Sequence, residues 1–143
     1  LGNDVAMKVA ISSGLVERIL ALAAAQPTQE VCGLLLGQGD RIDNILPARN
    51  VATDPHRTFE VDPTVLVNAL RTARAGGPAV IGCYHSHPLG NAMPSAMDAS
   101  MIGRVGEYWL ICHENIVRGW QAATRRSFVE VYLVPQPSAC VTS

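Results

Sequence analysis

Within fourteen residues this chain places two imidazoles, a hydroxyl and a carboxylate: His85-Ser-His87-Pro-Leu-Gly-Asn-Ala-Met-Pro-Ser95-Ala-Met-Asp98. The stretch follows Ala79–Tyr84, a run of small and β-branched residues bounded by Gly76-Gly77-Pro78, which reads as a buried strand. If that strand continues to its tip, His85 and His87 leave the same face. Their Cα atoms then lie ~7 Å apart, near enough for both rings to close over one ion. Asp98 can return to that point across a loop broken by Pro88, Gly90 and Pro94. Two histidines and one carboxylate leave a fourth tetrahedral position for water, the pattern of a catalytic zinc.

Each piece also has a plainer reading. A His-Ser-His triplet alone reads as a polar loop. Ser95-Ala-Met-Asp98 alone reads as a capping box, with Ser95 as N-cap and Asp98 at N3 of a helix reaching about Arg104. The cap supports the metal reading because it orients both side chains. It also competes with it, since an Asp98 that ligates zinc cannot serve fully as a capping acceptor.

A third element lies upstream, in Pro27-Thr-Gln-Glu30-Val-Cys-Gly-Leu-Leu-Leu-Gly37. Here a carboxylate opens a nearly continuous apolar strand. Glu is rarely set where its neighbours are about to be buried unless something pairs with it. Beside a zinc-activated water, a glutamate is the usual general base of metal-assisted hydrolysis. Alone, Glu30 would read as a strand-edge residue facing solvent.

Taken together, Glu30 followed by Cys-Gly-Leu-Leu-Leu-Gly, and His-Ser-His-Pro with seven residues to Ser95 and two more to Asp98, resembles the JAMM, or MPN-plus, metalloprotease family. The resemblance runs from about Met7 to Val134 and fills all five motif positions. Asn50-Val-Ala, Phe59-Glu-Val-Asp-Pro63, Trp109-Leu-Ile111 and Trp120 are similar to small bacterial members. It implies that His85, His87 and Asp98 are zinc ligands. Glu30 would hold the water, take its proton and pass it to the leaving amine, and Ser95 would donate to the oxyanion. Donors aimed at a developing oxyanion are commonly worth about 3 kcal/mol each.

The composition fits a single domain of 143 residues, 48% of them apolar, with a core of ordinary size. A net charge of −1 gives no electrostatic reason to expect nucleic acid. No apolar stretch approaches the ~20 residues of a membrane helix. Met7-Lys-Val reads as a natural start, with residues 1–6 an added or alternative start region, residues 7–134 the metalloprotease domain and residues 135–143 a tail. No signal-peptide pattern is legible, so the expected location is cytoplasmic. Cys32, Cys83, Cys112 and Cys140 lack CxxC spacing and read as reduced, the first three as core residues and Cys140 as an exposed tail thiol. Cys83 shares a strand face with His85 and could lie beneath the metal, though a thiolate would close the site. His56 and His113 have no partners at ligand spacing and read as surface or loop residues.

The elements that must position the motif follow from pattern. Lys8–Ile11 is a short strand, and Ser13 is expected to cap a helix to about Ala25 with an apolar stripe of Leu15, Val16, Ile19, Leu20 and Leu22. Glu30–Leu36 and Arg41–Leu46 form a hairpin across Gly37-Gln-Gly39-Asp. Asp62-Pro63 starts a helix lined by Val65, Leu66, Ala69, Leu70 and Ala73, and Gly76-Gly77 stops it. Arg71 and Arg74 suit its last turns. Strands at about Glu107–Cys112, Ile116–Ala122 and Ser127–Val134 follow the metal loop. The fold class is α/β, with a mixed central β-sheet flanked by helices, and the family's deaminase-like α/β sandwich fits it.

The reaction implied is hydrolysis of an amide or isopeptide bond. Members of this family often act on ubiquitin or ubiquitin-like proteins after a C-terminal Gly-Gly. The short Leu89–Pro94 loop leaves little room for a platform spanning two ubiquitins, and the resemblance to small bacterial members implies instead a ubiquitin-like or sulfur-carrier protein as substrate. A Gly-Gly tail lacks β-carbons, so its backbone can approach a metal closely and pair with a strand edge. The alternatives are a cell-wall or phage-tail peptidase and a non-catalytic MPN-type scaffold, the latter opposed by the intact motif. A zinc nucleoside deaminase would need a Pro-Cys-x-x-Cys element that is missing. The oligomeric state is not legible.

Overall fold

The computed structural model describes residues 7–137. The order is β1 (Lys8–Ser12), α1 (Leu15–Ala24), β2 (Cys32–Gln38), β3 (Arg41–Ala48), α2 (Pro63–Arg74), β4 (Ala79–Ser86), α3 (Ala96–Ser100), β5 (Tyr108–His113), β6 (Ile116–Thr124) and β7 (Ser127–Gln136). The α/β character and the mixed sheet are as expected: β4 pairs with β5 in parallel, whereas β2–β3, β2–β4, β5–β6 and β6–β7 are antiparallel. The sheet does not stay open between helical layers. Its strands run β1-β3-β2-β4-β5-β6-β7 and close into a barrel. Closure comes from a parallel pairing of Lys8–Ser12 with Tyr132–Gln136, so β7 runs past Val134 to meet β1.

Period-two alternation sorts the barrel residues into two cores. One gathers Val9, Ile11, Ile19, Leu35, Ile42, Tyr84, Leu110 and Val131 under α1. The other gathers Cys32, Phe59, Ala92, Trp109, Ile111 and Trp120, with Cys83 against it. Along β4, Tyr84 therefore faces α1 while its neighbours Cys83 and His85 face the second core. Gly33 opposes Tyr84 on β2, and a Cβ there would run into the tyrosine ring. That glycine lets a large aromatic lie flat across the sheet.

The helices differ from the sequence reading at three points. The N-cap of α1 is Gly14, at φ 89°, a left-handed backbone that glycine adopts without a Cβ penalty. Ser13 instead donates its N–H to the Gln136 carbonyl at 2.6 Å, tying the start of α1 to the end of β7. In α2, Asp62 caps as expected by accepting from the Thr64 N–H, but only Ala69 is fully buried and Leu70 is 40% exposed. Helix α3 ends at Ser100 rather than near Arg104. There the Glu107 carboxylate captures the N–H groups of Gly103 and Arg104 at 3.2 and 3.0 Å, offering the backbone a turn in place of another helical one. No helix among the described residues is long and apolar enough to cross a membrane.

Candidate metal centre

Strand β4 delivers His85 fully buried, and His87 follows just past the strand's end. Their Nε2 atoms approach to 3.0 Å, the convergence expected of residues two apart on one face. Asp98, 2% exposed in the first turn of α3, meets both: Oδ1 lies 3.1 Å from His85 Nε2 and Oδ2 lies 3.0 Å from His87 Nε2. With Glu30, these side chains bring one possible ligand atom each to within 4.8 Å of one another.

Asp98 caps its helix and faces both imidazoles at once. The capping box is complete, with Ser95 Oγ accepting from the Asp98 N–H at 3.0 Å and Asp98 Oδ2 accepting from the Ser95 N–H at 2.9 Å. A carboxylate has about four lone-pair directions on two oxygens, enough to cap a helix and face two imidazoles together. Ser95 itself is exposed, and among the described residues its hydroxyl proton has no acceptor.

Glu30 sits in the connector before β2, not inside the strand. Its backbone N–H donates to the Pro55 carbonyl at 2.7 Å, and its carbonyl accepts from Asn50 Nδ2 at 2.8 Å. The next residue is bound twice to Ser86: the Val31 N–H donates to Ser86 Oγ at 2.8 Å, and the Ser86 N–H donates to the Val31 carbonyl at 2.9 Å. The backbone is thus fixed on both sides, while Glu30 Oε1 is buried with no partner.

The hydrogen-bond inventory shows what the cluster suits. His87 Nδ1 lies 2.8 Å from the Asn91 carbonyl, which can only accept, so Nδ1 carries the proton. In a neutral imidazole that leaves Nε2 as a lone pair, yet it faces another acceptor, Asp98 Oδ2, at 3.0 Å. Either a proton on Nε2 or a metal cation satisfies that pair, and a metal would meet both imidazoles and the carboxylate at once. Two imidazole nitrogens with a carboxylate are the donor set that zinc takes in catalytic sites, so the residues fit that ion.

Electrostatics follow the same lines. Burial raises the Glu30 pKa to about 7, against the lowering effect of His87 and with a further push from Asp98. Burial also opposes ionisation of Asp98, but bonds from His85, His87 and the Ser95 backbone outweigh it and hold the carboxyl well below its ordinary range. His85 is lowered, chiefly by burial. For His87 burial works downward too, but its bonds to Asp98 and Asn91 and the charges of Asp98 and Glu30 win, and the pKa is raised. A Glu near 7 and an ionised Asp beside it can play different roles in one site.

Several supports escaped the sequence reading. His113, expected as a surface or loop residue, donates Nδ1–H to the His87 carbonyl at 2.9 Å, while the His87 N–H donates to the Cys112 carbonyl at 2.8 Å. The Trp120 indole N–H donates to the Ala92 carbonyl at 3.1 Å and pins the loop between ligands. Its lateness in the chain gave no hint of that bond. His56 is exposed, with its Nδ1 2.7 Å from the Thr28 carbonyl. Cys32, Cys83 and Cys112 are free thiols outside the ligand cluster. Burial pushes the Cys32 thiol up to about 12 and that of Cys83 well above its usual range, so neither offers a thiolate. Cys140 and residues 1–6 lie outside the described residues. A cleft of 710 Å³ reaches Glu30 past Gln29, Arg49 and Asn50, and another of 430 Å³ reaches His87 past Pro88 and Glu114.

Comparison with known proteins agrees with this geometry. Residues 12–129 match the family model for prokaryotic homologs of the JAB domain. A desampylase of Haloferax volcanii is 38% identical over 63% of this chain and 66% of its own length. A desampylase of Pyrococcus furiosus is 30% identical over 82% of this chain and 84% of its own. A probable TtuB-protein conjugate cleaving protease of Thermus thermophilus is 32% identical over 62% of this chain and 59% of its own. For the first and third of these, the match spans less than two thirds of the relative. A solved structure described as JAMM, a metalloprotease-like zinc site in the proteasome and signalosome, superposes with a TM-score of 0.55 at 25% identity, covering 90% of this chain and 99% of that one.

Proposed function

The chain belongs to the family of prokaryotic homologs of the JAB domain, a branch of the JAMM/MPN group, and from that membership we propose a zinc-dependent isopeptidase. Its reaction is hydrolysis of an amide bond at the Gly-Gly C-terminus of a ubiquitin-like or sulfur-carrier protein. The observation that carries this reading is the convergence of His85, His87 and Asp98 through atoms about 3 Å apart, with Glu30 beside them, the donor set of a catalytic zinc. Those three residues hold the zinc. Bound there, zinc supplies Lewis acidity, which polarises the scissile carbonyl and brings the pKa of water to roughly 7.

The remaining steps belong to the chain. Glu30 takes the proton of the attacking water on Oε1, the oxygen left without a partner, and delivers it to the leaving amine. Burial, which favours the protonated carboxyl, suits Glu30 to hand that proton on once it is taken. Ser95 donates its uncommitted hydroxyl proton to the oxyanion, while the Asp98 N–H holds that oxygen in place. Burial of His85, Asp98 and Glu30 limits bulk water at the reacting centre.

The substrate class rests on the names of the relatives, two desampylases and a conjugate-cleaving protease, and on the short Leu89–Pro94 loop. A cytoplasmic site of action suits such a substrate. The test is intact-mass analysis of a ubiquitin-like carrier, extended beyond its Gly-Gly or conjugated through it, after incubation with zinc-loaded protein and with Glu30→Gln. Release of only the group after Gly-Gly, with the variant silent, is the expected result. An intact carrier beside verified zinc-loaded protein would remove this substrate class. Cleavage of peptidoglycan peptides instead would favour the cell-wall reading.

A further inference from the structure

Metal-ligating imidazoles ordinarily give their second ring N–H to a carboxylate, carbonyl or water, which fixes tautomer and ring plane. His87 follows that rule through Asn91. For His85 no protein acceptor reaches Nδ1, which is buried, among the described residues. Rotation of such a ring about χ2 is intrinsically broad, so something else must set its plane.

Aromatic rings occupy that role. Phe59 lies over the His85 ring with centroids 4.3 Å apart and planes 21° from parallel. Trp109 stands almost perpendicular to it, at 5.5 Å and 89°. Phe59 and Trp109 brace each other edge to face at 5.6 Å, and Phe128 packs behind Trp109 at 5.1 Å. The Trp109 indole is itself anchored, donating to the Glu107 carboxylate at 2.8 Å. Delivery of Phe59 is equally specific. Asn50 donates Nδ2 to the Thr58 carbonyl at 3.0 Å and accepts on Oδ1 from the Glu60 N–H at 3.1 Å, gripping the residues on either side of it.

We propose that Phe59 is a positioning residue for His85, its stacked ring holding the imidazole in the plane that aims Nε2 at the metal position. It does for the His85 ring plane what the Asn91 carbonyl does for His87. The inference rests on the zinc reading above. It predicts that the flat ring, rather than apolar bulk, is what the site requires.

The test compares wild type, Phe59→Leu, Phe59→Tyr and Phe128→Leu by zinc affinity in competition with a chromophoric chelator. The d–d spectrum of the cobalt(II)-loaded proteins is recorded alongside. Phe59→Leu weakens zinc about tenfold and alters the cobalt bands, whereas Phe59→Tyr and Phe128→Leu stay within about twofold of wild type. Should Phe59→Leu fail to fold, Phe59→Met, whose unbranched side chain adapts to fill the gap without a ring, takes its place. Unchanged affinity and spectrum in the Phe59 variant would overturn the proposal, as would equal weakening in Phe128→Leu, which would mark general loosening of the core. Wild-type protein that takes up no zinc would instead remove the metal reading on which the inference stands.

Discussion

The three residues proposed to hold the metal and the one proposed to move the proton reach the same point by different routes. His85, His87 and Asp98 come from one strand tip and the helix that follows, joined by a loop bonded locally through Asn91 and Ser95 and pinned at Ala92 by Trp120. Glu30 comes from a connector more than fifty residues upstream of His85, and Pro55, Asn50 and Ser86 hold it or its neighbour Val31. The ligands of the metal half are therefore brought together by adjacent sequence and braced from afar, whereas the proton half is placed by distant segments alone. Two functions separated in this way can be lost separately.

The sharpest way to break the comparison is to remove a ligand. His87→Ala loses zinc stoichiometry and all measurable turnover, while the fold persists because His87 lies past the end of β4. Metal analysis with a melting curve checks both, and full zinc occupancy in this variant would take His87 out of the ligand set. Next in size is Glu30→Gln. It retains zinc and lowers turnover about 10⁴-fold, the upper end for general acid–base catalysis, because one carboxylate serves both transfers. Turnover surviving in a clean, zinc-loaded preparation would sink the role of Glu30.

Ser95→Ala straddles the two halves. Loss of an oxyanion donor costs about 10²-fold in turnover. Loss of the N-cap costs about 1 kcal/mol of stability, read as a lowered melting temperature. Ser95→Thr keeps a hydroxyl acceptor for the Asp98 N–H, so it should recover the stability whether or not it recovers the rate. A variant whose rate tracked its melting temperature would reduce Ser95 to a structural cap.

The contrast between halves also explains what the sequence could show. His85, His87, Ser95 and Asp98 were legible because strand alternation and a capping box are local rules. Glu30 stood out as a carboxylate opening an apolar strand, but its place in the site came only through resemblance, since nothing within Pro27–Gly37 states that Ser86 lies beside Val31. Ser86, His113 and the stacking of Phe59 on His85 were invisible for the same reason: each contact spans more than twenty residues of chain. Closure of the barrel is likewise a pairing of the first strand with the last, which no window of periodicity registers. The misread cap at Ser13 belongs with it, because that backbone is claimed by Gln136 from the far end of the chain.

The smallest effect should come from Ser86, which sits between two proposed ligands yet serves the other half. Strand alternation turns its side chain away from His85 and His87. Its hydroxyl accepts from the Val31 N–H at 2.8 Å and reaches the Gln29 carbonyl at 3.4 Å, on either side of Glu30. Ser86→Ala leaves a partly buried N–H without its acceptor, a cost of about 1–3 kcal/mol. The backbone bond from the Ser86 N–H to the Val31 carbonyl and the pairing of Ser86 with Cys112 remain, so β4 still presents His85 correctly. Zinc affinity should therefore match wild type while kcat falls about tenfold, a displacement of the base too small to unseat the metal but large enough for catalysis to register. Ser86→Thr, which retains the hydroxyl, should restore most of the rate. A Ser86→Ala variant that lost zinc in proportion to its rate would show that the two halves are one unit after all.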